Sequence, residues 1–305
     1  MSFTHVRVAA LVLAAVAAGC ASSAGPEEAV STTDEALSTF AWTYVTVRAD
    51  QRKCMSPLCG GYFVQDVNRR TEERYVSGLD YGPADLDAAA LHALAGAADG
   101  ELVLRGRLGP TERRFHTRPL LVREAYRGMP GMVVAEGDAL YQVSAREPEV
   151  RCAVAPCPQL EARALNRGWS ADFDRVSVGA AAVPYGDEDW MASRVVEHGA
   201  VVGAHFAPGT HFAGGDESVL TASQVFVRIP DVRACADATV AACPSGQTTT
   251  FTRDSDRCVV STGCVRHGIC PLFRPSCPTG YTLAGWPSAP TACDAWACDP
   301  AFLGE

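Results

Sequence analysis

Lysine is almost absent from this 305-residue chain: Lys53 stands alone among 26 basic residues, and the rest are arginine. Beside so much alanine, that bias is what a GC-rich genome writes, so an arginine by itself marks no anion site. Several catalytic signatures are also missing. There is no G-x-S-x-G elbow to expose a serine nucleophile, no G-x-x-x-x-G-K-[ST] loop to cradle phosphates, no G-x-G-x-x-G after a strand, and no H-E-x-x-H. Sequence support for those enzyme classes is lacking, and no cofactor is expected. Positive charge is short as well: 35 acids against 26 bases leave −9, and loss of Arg7 with a leader would make it −10. An acidic surface repels phosphate backbones, so nucleic acid is not an expected partner.

The N-terminal apolar run, VAALVLAAVAA, extends from Val8 to Ala18. It is too short for a spanning helix, which needs about 20 residues, and suits the core of a signal peptide. It ends in Ala17-Ala18-Gly19-Cys20, which resembles a bacterial lipobox with Ala17 where Leu is commoner. On that reading residues 1–20 are a lipoprotein signal peptide, Cys20 is lipidated, and residues 21–40 are a flexible linker. The rival is ordinary cleavage after Ala24. Ala21, rather than Asp, follows Cys20, which by analogy with Gram-negative sorting points to the outer membrane. Thirteen cysteines minus Cys20 leave twelve, an even number that suggests disulfides in an exported chain.

Those twelve fall in a pattern. Tyr44-VTVRADQRK-Cys54-MSPL-Cys59, followed by Asn68-Arg69, recurs as Tyr141-QVSAREPEVR-Cys152-AVAP-Cys157, followed by Asn166-Arg167. In both copies the cysteines are five apart and the Asn-Arg pair begins fourteen residues after the first. Each copy continues with a strand-like piece, a helical candidate (85–97 and 187–198) and two closing strands. In the first copy Asp85 is the expected helix cap, with Leu86, Ala90, Leu91 and Leu94 on one face. The expected class is α+β: two tandem strand-rich repeats, 41–139 and 140–233, each with one helix. Residues 234–305 carry Cys235, Cys243, Cys258, Cys264, Cys270, Cys277, Cys293 and Cys298, with many Pro and Gly. That segment has too little apolar sequence for a core of its own, so staples are expected to hold it. Eight cysteines allow 105 pairings, and sequence does not choose among them.

Chemistry candidates are few. Cys54, Cys59, Cys152 and Cys157 offer four thiolates for zinc, but export favours disulfides. His205, His211 and Asp216, with His198 and Glu217 near them, are the densest set of ligand types and carry the alternative of a metal-dependent hydrolase. Their spacing follows no helical metal pattern, and no metal is assigned. Asp187-Glu188-Asp189 suits a helix N-terminus. Arg48, Asp50, Arg52 and Lys53, with Arg146, Glu147, Glu149 and Arg151 in the second copy, read as charged strand edges or a polar binding rim. Trp190, Trp286, Trp296 and Tyr281 read as packing for a small stapled region, or as a platform for glycan or peptide.

The stretch Tyr44-x-Val-x-Arg48-x-Asp50, then Lys53-Cys54-x-Ser56-Pro57-x-Cys59-Gly60-Gly61-Tyr62-Phe63-Val64, then Val67-Asn68-Arg69, resembles an uncharacterised domain family found in lipoproteins of myxobacterial type. Residues 105–127 look like the same family, and residues 277–298 like a short module that ends similar proteins. The resemblance implies export and a repeat architecture and lends no catalytic residue. The expected protein is a lipid-anchored, non-enzymatic envelope component with a structural or recognition role. Its expected contacts are the membrane through its N-terminal lipid, and an envelope protein or glycan. A protease-blocking or glycan-binding tail is the remaining alternative.

Overall fold

Alternation of Val45 and Val47 with Thr46 and Arg48 makes a strand whose valines are buried and whose arginine is exposed. In the computed structural model, which describes residues 37–38, 40–146, 158–208, 217–229, 235 and 242–304, this is β1 (Thr43–Ala49). It is followed by β2 (Tyr62–Asp66), β3 (Arg74–Val76), β4 (Leu79–Asp80), α1 (Ala88–Leu94), β5 (Leu102–Leu108) and β6 (Leu120–Gly128). The second half runs β7 (Ala139–Ala145), β8 (Leu160–Ala164), β9 (Ser170–Phe173), β10 (Arg175–Ser177), α2 (Glu188–Glu197), β11 (Val201–Pro208) and β12 (Ser218–Ile229). The C-terminal segment adds β13 (Gln247–Arg253), β14 (Val259–Arg266), β15 (Tyr281–Ser288) and β16 (Cys293–Pro300).

The first twelve strands form one sheet. Its main path is β3-β2-β1-β5-β6-β12-β11-β7-β8-β9. Read inward from either edge, the elements come in the same order and meet at the antiparallel pair β6–β12. The side pairings match as well: β4 lies parallel to β6, and β10 parallel to β12.

The expected α+β class is overturned. The chain is mostly β, with a large and chiefly antiparallel sheet, and is not an α+β fold built on a helix per repeat. Its α-helices among the described residues are α1 and α2, of seven and ten residues. They form no layer: α1 buries only Ala90, Ala93 and Leu94. The long strands carry the core instead, because both faces of the central ones are covered. On β5, Leu102 and Leu104 join the cluster that includes α1, while Val103 between them joins a separate cluster with Tyr126, Leu140 and Phe226. On β11, Val202 goes to the α2 cluster and Val201 to that second one.

The capping of α1 also differs from expectation. Asp87, not Asp85, accepts the Ala90 N–H, at 2.7 Å. Asp85 closes the preceding 3-10 turn (Gly82–Ala84) in a left-handed conformation, so it sits outside the helix. Leu91 is turned outward, 42 % exposed, and the buried face falls on Ala90, Ala93 and Leu94.

Five disulfides lie among the described residues. Cys54–Cys59 closes the loop between β1 and β2. In the tail, Cys235–Cys258 and Cys243–Cys264 brace the β13–β14 hairpin, and Cys270–Cys293 and Cys277–Cys298 brace β15–β16. The separations are 23 and 21 residues in the first hairpin and again 23 and 21 in the second. Cys243-Pro-Ser-Gly and Cys277-Pro-Thr-Gly precede the two hairpins, so the tail is itself a duplication. Cys293 and Cys298, which share the five-residue step of the first repeat, are not bonded to each other: they sit on one strand and pair with different partners. Tyr281, Cys298 and Leu303 of the tail are buried in the α2 cluster.

Candidate functional site

The Asn-Arg pairs that mark the two copies lie where the copies grip each other. Asn68 follows β2 and holds the left-handed conformation, φ 59°, as does Asn166 after β8, φ 58°. Asparagine tolerates that conformation better than other side chains. Asn68 Nδ2 donates to the carbonyls of Leu140 (2.7 Å) and Leu165 (3.0 Å), and its Oδ1 accepts the Leu140 N–H (2.8 Å). Asn166 does the same in reverse, donating to Tyr44 (2.6 Å) and Val67 (3.0 Å) and accepting from the Tyr44 N–H (2.8 Å). The arginines complete the exchange: Arg69 donates to the Asn166 carbonyl and Arg167 to that of Asn68. These residues are structural, and their chemistry is backbone recognition.

Beside the clasp lies a polar chain. Glu124 accepts from Arg105 Nη1 and from the Tyr126 hydroxyl, each at 2.7 Å, and Tyr126 in turn meets the Tyr44 hydroxyl. Burial pushes the Glu124 carboxyl up, but the two donors outweigh it and leave it below the usual range. Burial and the neighbouring Tyr44 and Glu124 push the Tyr126 phenol far up, so it is a fixed donor.

His205 is the one described member of the proposed metal trio; His211 and Asp216 lie outside the described residues. Its Nδ1 is 2.8 Å from Asp138 Oδ1, and Ser223 Oγ donates to the other carboxylate oxygen at 2.6 Å. Asp138 is nearly buried while His205 is half exposed. The order Ser–Asp–His is not a nucleophile relay, in which the histidine must stand between serine and acid. Asp138 and Ser223 carried no signal in the sequence, because the pairing joins a loop to a bulged position on β12. Among the described residues no three or more His, Cys, Asp or Glu come together as a metal-binding group.

The charged edge at the first cysteine loop is internally paired. Arg48 meets Glu73, and Arg52 meets Asp50, whose carboxyl is held down to about 2 by hydrogen bonds from Arg52 against the opposing effect of burial. Both guanidiniums lie over the Phe63 ring, at 4.6 and 5.1 Å. Cys54 and Cys59 are bonded to each other, so they supply no thiolate to zinc. Cys152 and Cys157, with Glu147, Glu149 and Arg151, lie outside the described residues; Arg146 pairs with Asp172. Lys53 is exposed.

In the tail the aromatics divide. Trp190 and Tyr281 are buried. Trp286 lies under Arg253 and Trp296 under Arg274. Arg253 Nη2 donates to both carboxylate oxygens of Asp299 (2.9 and 2.8 Å), and its Nη1 reaches Asp187, the residue that caps α2. Arg257 shares Asp299 and stacks on Trp190, and burial pushes its guanidinium below the ordinary value. Arg194 of α2 pairs with Asp256. The pairs with Asp187 and Arg194 clamp the first tail hairpin onto α2, and those with Asp299 tie it to β16 of the second hairpin.

Residues 43–232, which carry both repeats, match Domain of unknown function (DUF6748). The chain belongs to the DUF6748 family. An uncharacterized protein of Dictyostelium discoideum is 27 % identical over 270 residues, covering 86 % of this chain and 88 % of that one. That match is longer than the DUF6748 region and residues 1–42 together, so the likeness extends into the cysteine-rich tail. No solved structure matches the chain.

Proposed function

We propose that this DUF6748 protein is an exported, lipid-anchored envelope component, of the kind seen in myxobacterial-type lipoproteins, whose role is recognition or scaffolding at an outer-membrane surface. The observation that carries this reading is the set of five disulfides, four of them concentrated in the tail. Such density suits an oxidising compartment, since cytosolic thiols are kept reduced. The leader with Ala17-Ala18-Gly19-Cys20, which lies outside the described residues, supports lipid attachment at Cys20 and a spacer over residues 21–40. The polar groups that drew attention as chemistry are engaged in holding backbone and neighbouring side chains. The reading therefore places the protein's work on its outer surface, with an envelope protein or glycan as partner.

The test is expression of the full chain and its Cys20→Ser variant in a Gram-negative host supplied with labelled fatty acid. Label in the parent chain, recovered with the outer membrane, and its loss in the variant are the expected results. Equal labelling of both, or recovery of the parent in the cytosol with free thiols, contradicts the reading.

A further inference from the structure

Between Asp256 and Asp294 the chain has no acidic residue, although it carries 35 acids in 305. The middle of that stretch joins the two tail hairpins and reads Arg266-His267-Gly268-Ile269-Cys270-Pro271-Leu272-Phe273-Arg274. Its apolar side chains are turned to solvent: Ile269 is 100 % exposed, Leu272 107 % and Phe273 56 %. Phe273 lies 6.2 Å from the ring of Tyr185, itself half exposed, so the apolar surface continues onto the loop before α2. The loop is not loose. Cys270–Cys293 tethers its middle, the bonded Cys264 and Cys277 stand on either side, and the Gly268 N–H donates to the Thr291 carbonyl at 2.8 Å.

Isolated exposed leucines are ordinary on a protein surface, but three large apolar residues within five positions, on a covalently held loop between two arginines, are not. Water gains nothing from holding them there, and the staples prevent collapse onto the body. Apolar tips flanked by cations suit one environment in particular, the boundary of an anionic bilayer. There the side chains enter the headgroup and acyl region to a depth of about 5–10 Å, while the guanidiniums meet lipid phosphates. Local charge favours this against the acidic average of the chain, because repulsion from the body weakens within a Debye length, about 8 Å at physiological salt.

We infer that the loop 266–274 is a second membrane contact that inserts Ile269, Leu272 and Phe273 into a bilayer rich in anionic lipid. The inference rests on the reading above that the chain works at a lipid surface. It adds that the tail lies down on that surface rather than projecting from it. The loop is an attachment apart from the acyl chains on Cys20, and it fixes which face of the tail meets the lipid.

The test uses the full chain carrying Phe273→Trp, bound to vesicles of phosphatidylcholine alone or of phosphatidylcholine with phosphatidylglycerol, with bromine on the acyl chains. The parent chain provides the background of the native tryptophans. The expected result is quenching of the added indole in the phosphatidylglycerol vesicles. That quenching should be lost when Ile269→Glu and Leu272→Glu are added, and should weaken as salt rises. Oxidation of every cysteine in the variants shows that the fold is kept. Co-flotation of the Ile269→Glu, Leu272→Glu variant with the vesicles reports the N-terminal attachment separately: its flotation with no quenching in Phe273→Trp overturns the loop contact and leaves the anchor standing, and quenching in Phe273→Trp with no flotation of that variant overturns the anchor and leaves the loop contact. Equal quenching in both lipid mixtures, or shielding of the loop only by a co-purifying protein, also overturns the inference.

Discussion

Replacing Asn68 by alanine removes the clearest link between the two halves. The side chain makes three hydrogen bonds, at 2.7, 3.0 and 2.8 Å, to backbone groups of residues 72 and 97 positions away. Each such bond is worth about 1 kcal/mol net, and a buried carbonyl or N–H left without a partner costs about 1–3 kcal/mol. Asn68 itself is half-buried, so water partly replaces what is lost and the lower end applies. Alanine at φ 59° adds about 1 kcal/mol of backbone strain that asparagine largely escapes. The sum is a loss of about 2–4 kcal/mol, a large share of a total stability of about 5–15 kcal/mol. Asn68→Gly removes the same bonds without the strain, so it should cost about 1 kcal/mol less than Asn68→Ala. Urea unfolding of the oxidised protein, followed by tryptophan fluorescence and circular dichroism, measures both. Because Asn166 makes the reciprocal bonds, to Tyr44 and Val67, across the same junction, the Asn68→Ala, Asn166→Ala double variant should not be additive. A loss below about 1 kcal/mol for Asn68→Ala, or simple additivity of the two, refutes the clasp.

Four further outcomes follow from the geometry. Asp50 should titrate near 2 by carboxyl NMR and return toward the ordinary value, about 3.9, in Arg52→Ala. Since its folded value is depressed, its contribution to stability is full above about pH 4 and is lost as the pH falls toward 2, and Asp50→Asn should flatten acid unfolding across that window. Asp299→Ala leaves the mostly buried Arg253 and Arg257 without their shared carboxylate and should cost about 3–5 kcal/mol in urea unfolding, the range for breaking a buried pair from one side. Removing one tail staple by Cys235→Ser with Cys258→Ser opens a loop of 23 residues and should cost about 3 kcal/mol. His205→Ala, at a half-exposed position, should change the melting temperature little, whereas Asp138→Ala removes the acceptor for Ser223 and should lower it clearly in calorimetry.

Much of the first half was legible because its signals are local. The period of two in residues 43–49 sets β1, Pro57 and the glycines near it turn the chain, and Asp187 caps α2. The class differs from expectation because one helical candidate in each strand-rich repeat reads as α+β, whereas α1 and α2 are short and only cover part of a long sheet. Asp85 stands where a helix over 85–97 needs its cap, yet the 3-10 turn Gly82–Ala84 ends on it and delays the helix until Ala88. The Asn-Arg pairs were visible as markers of duplication but not as a clasp, since their partners lie up to 122 residues away. The tail's own duplication was open to inspection in Cys-Pro-Ser-Gly and Cys-Pro-Thr-Gly. It was hidden by the five-residue step of Cys293 and Cys298, which imitates the first repeat without sharing its pairing. Exposure of Ile269, Leu272 and Phe273 could not be read, because large apolar residues near cysteines read as core until the staples are known.

The central claim, an exported chain held at a membrane by Cys20 and stapled throughout, is tested most directly by the intact mass of the mature protein from its native membrane. The mass is taken before and after thiol labelling in denaturant. The account predicts a chain beginning at Cys20 with a diacylglycerol added and no thiol labelled. An unmodified chain beginning near Gly25, or labelled cysteines without prior reduction, contradicts it.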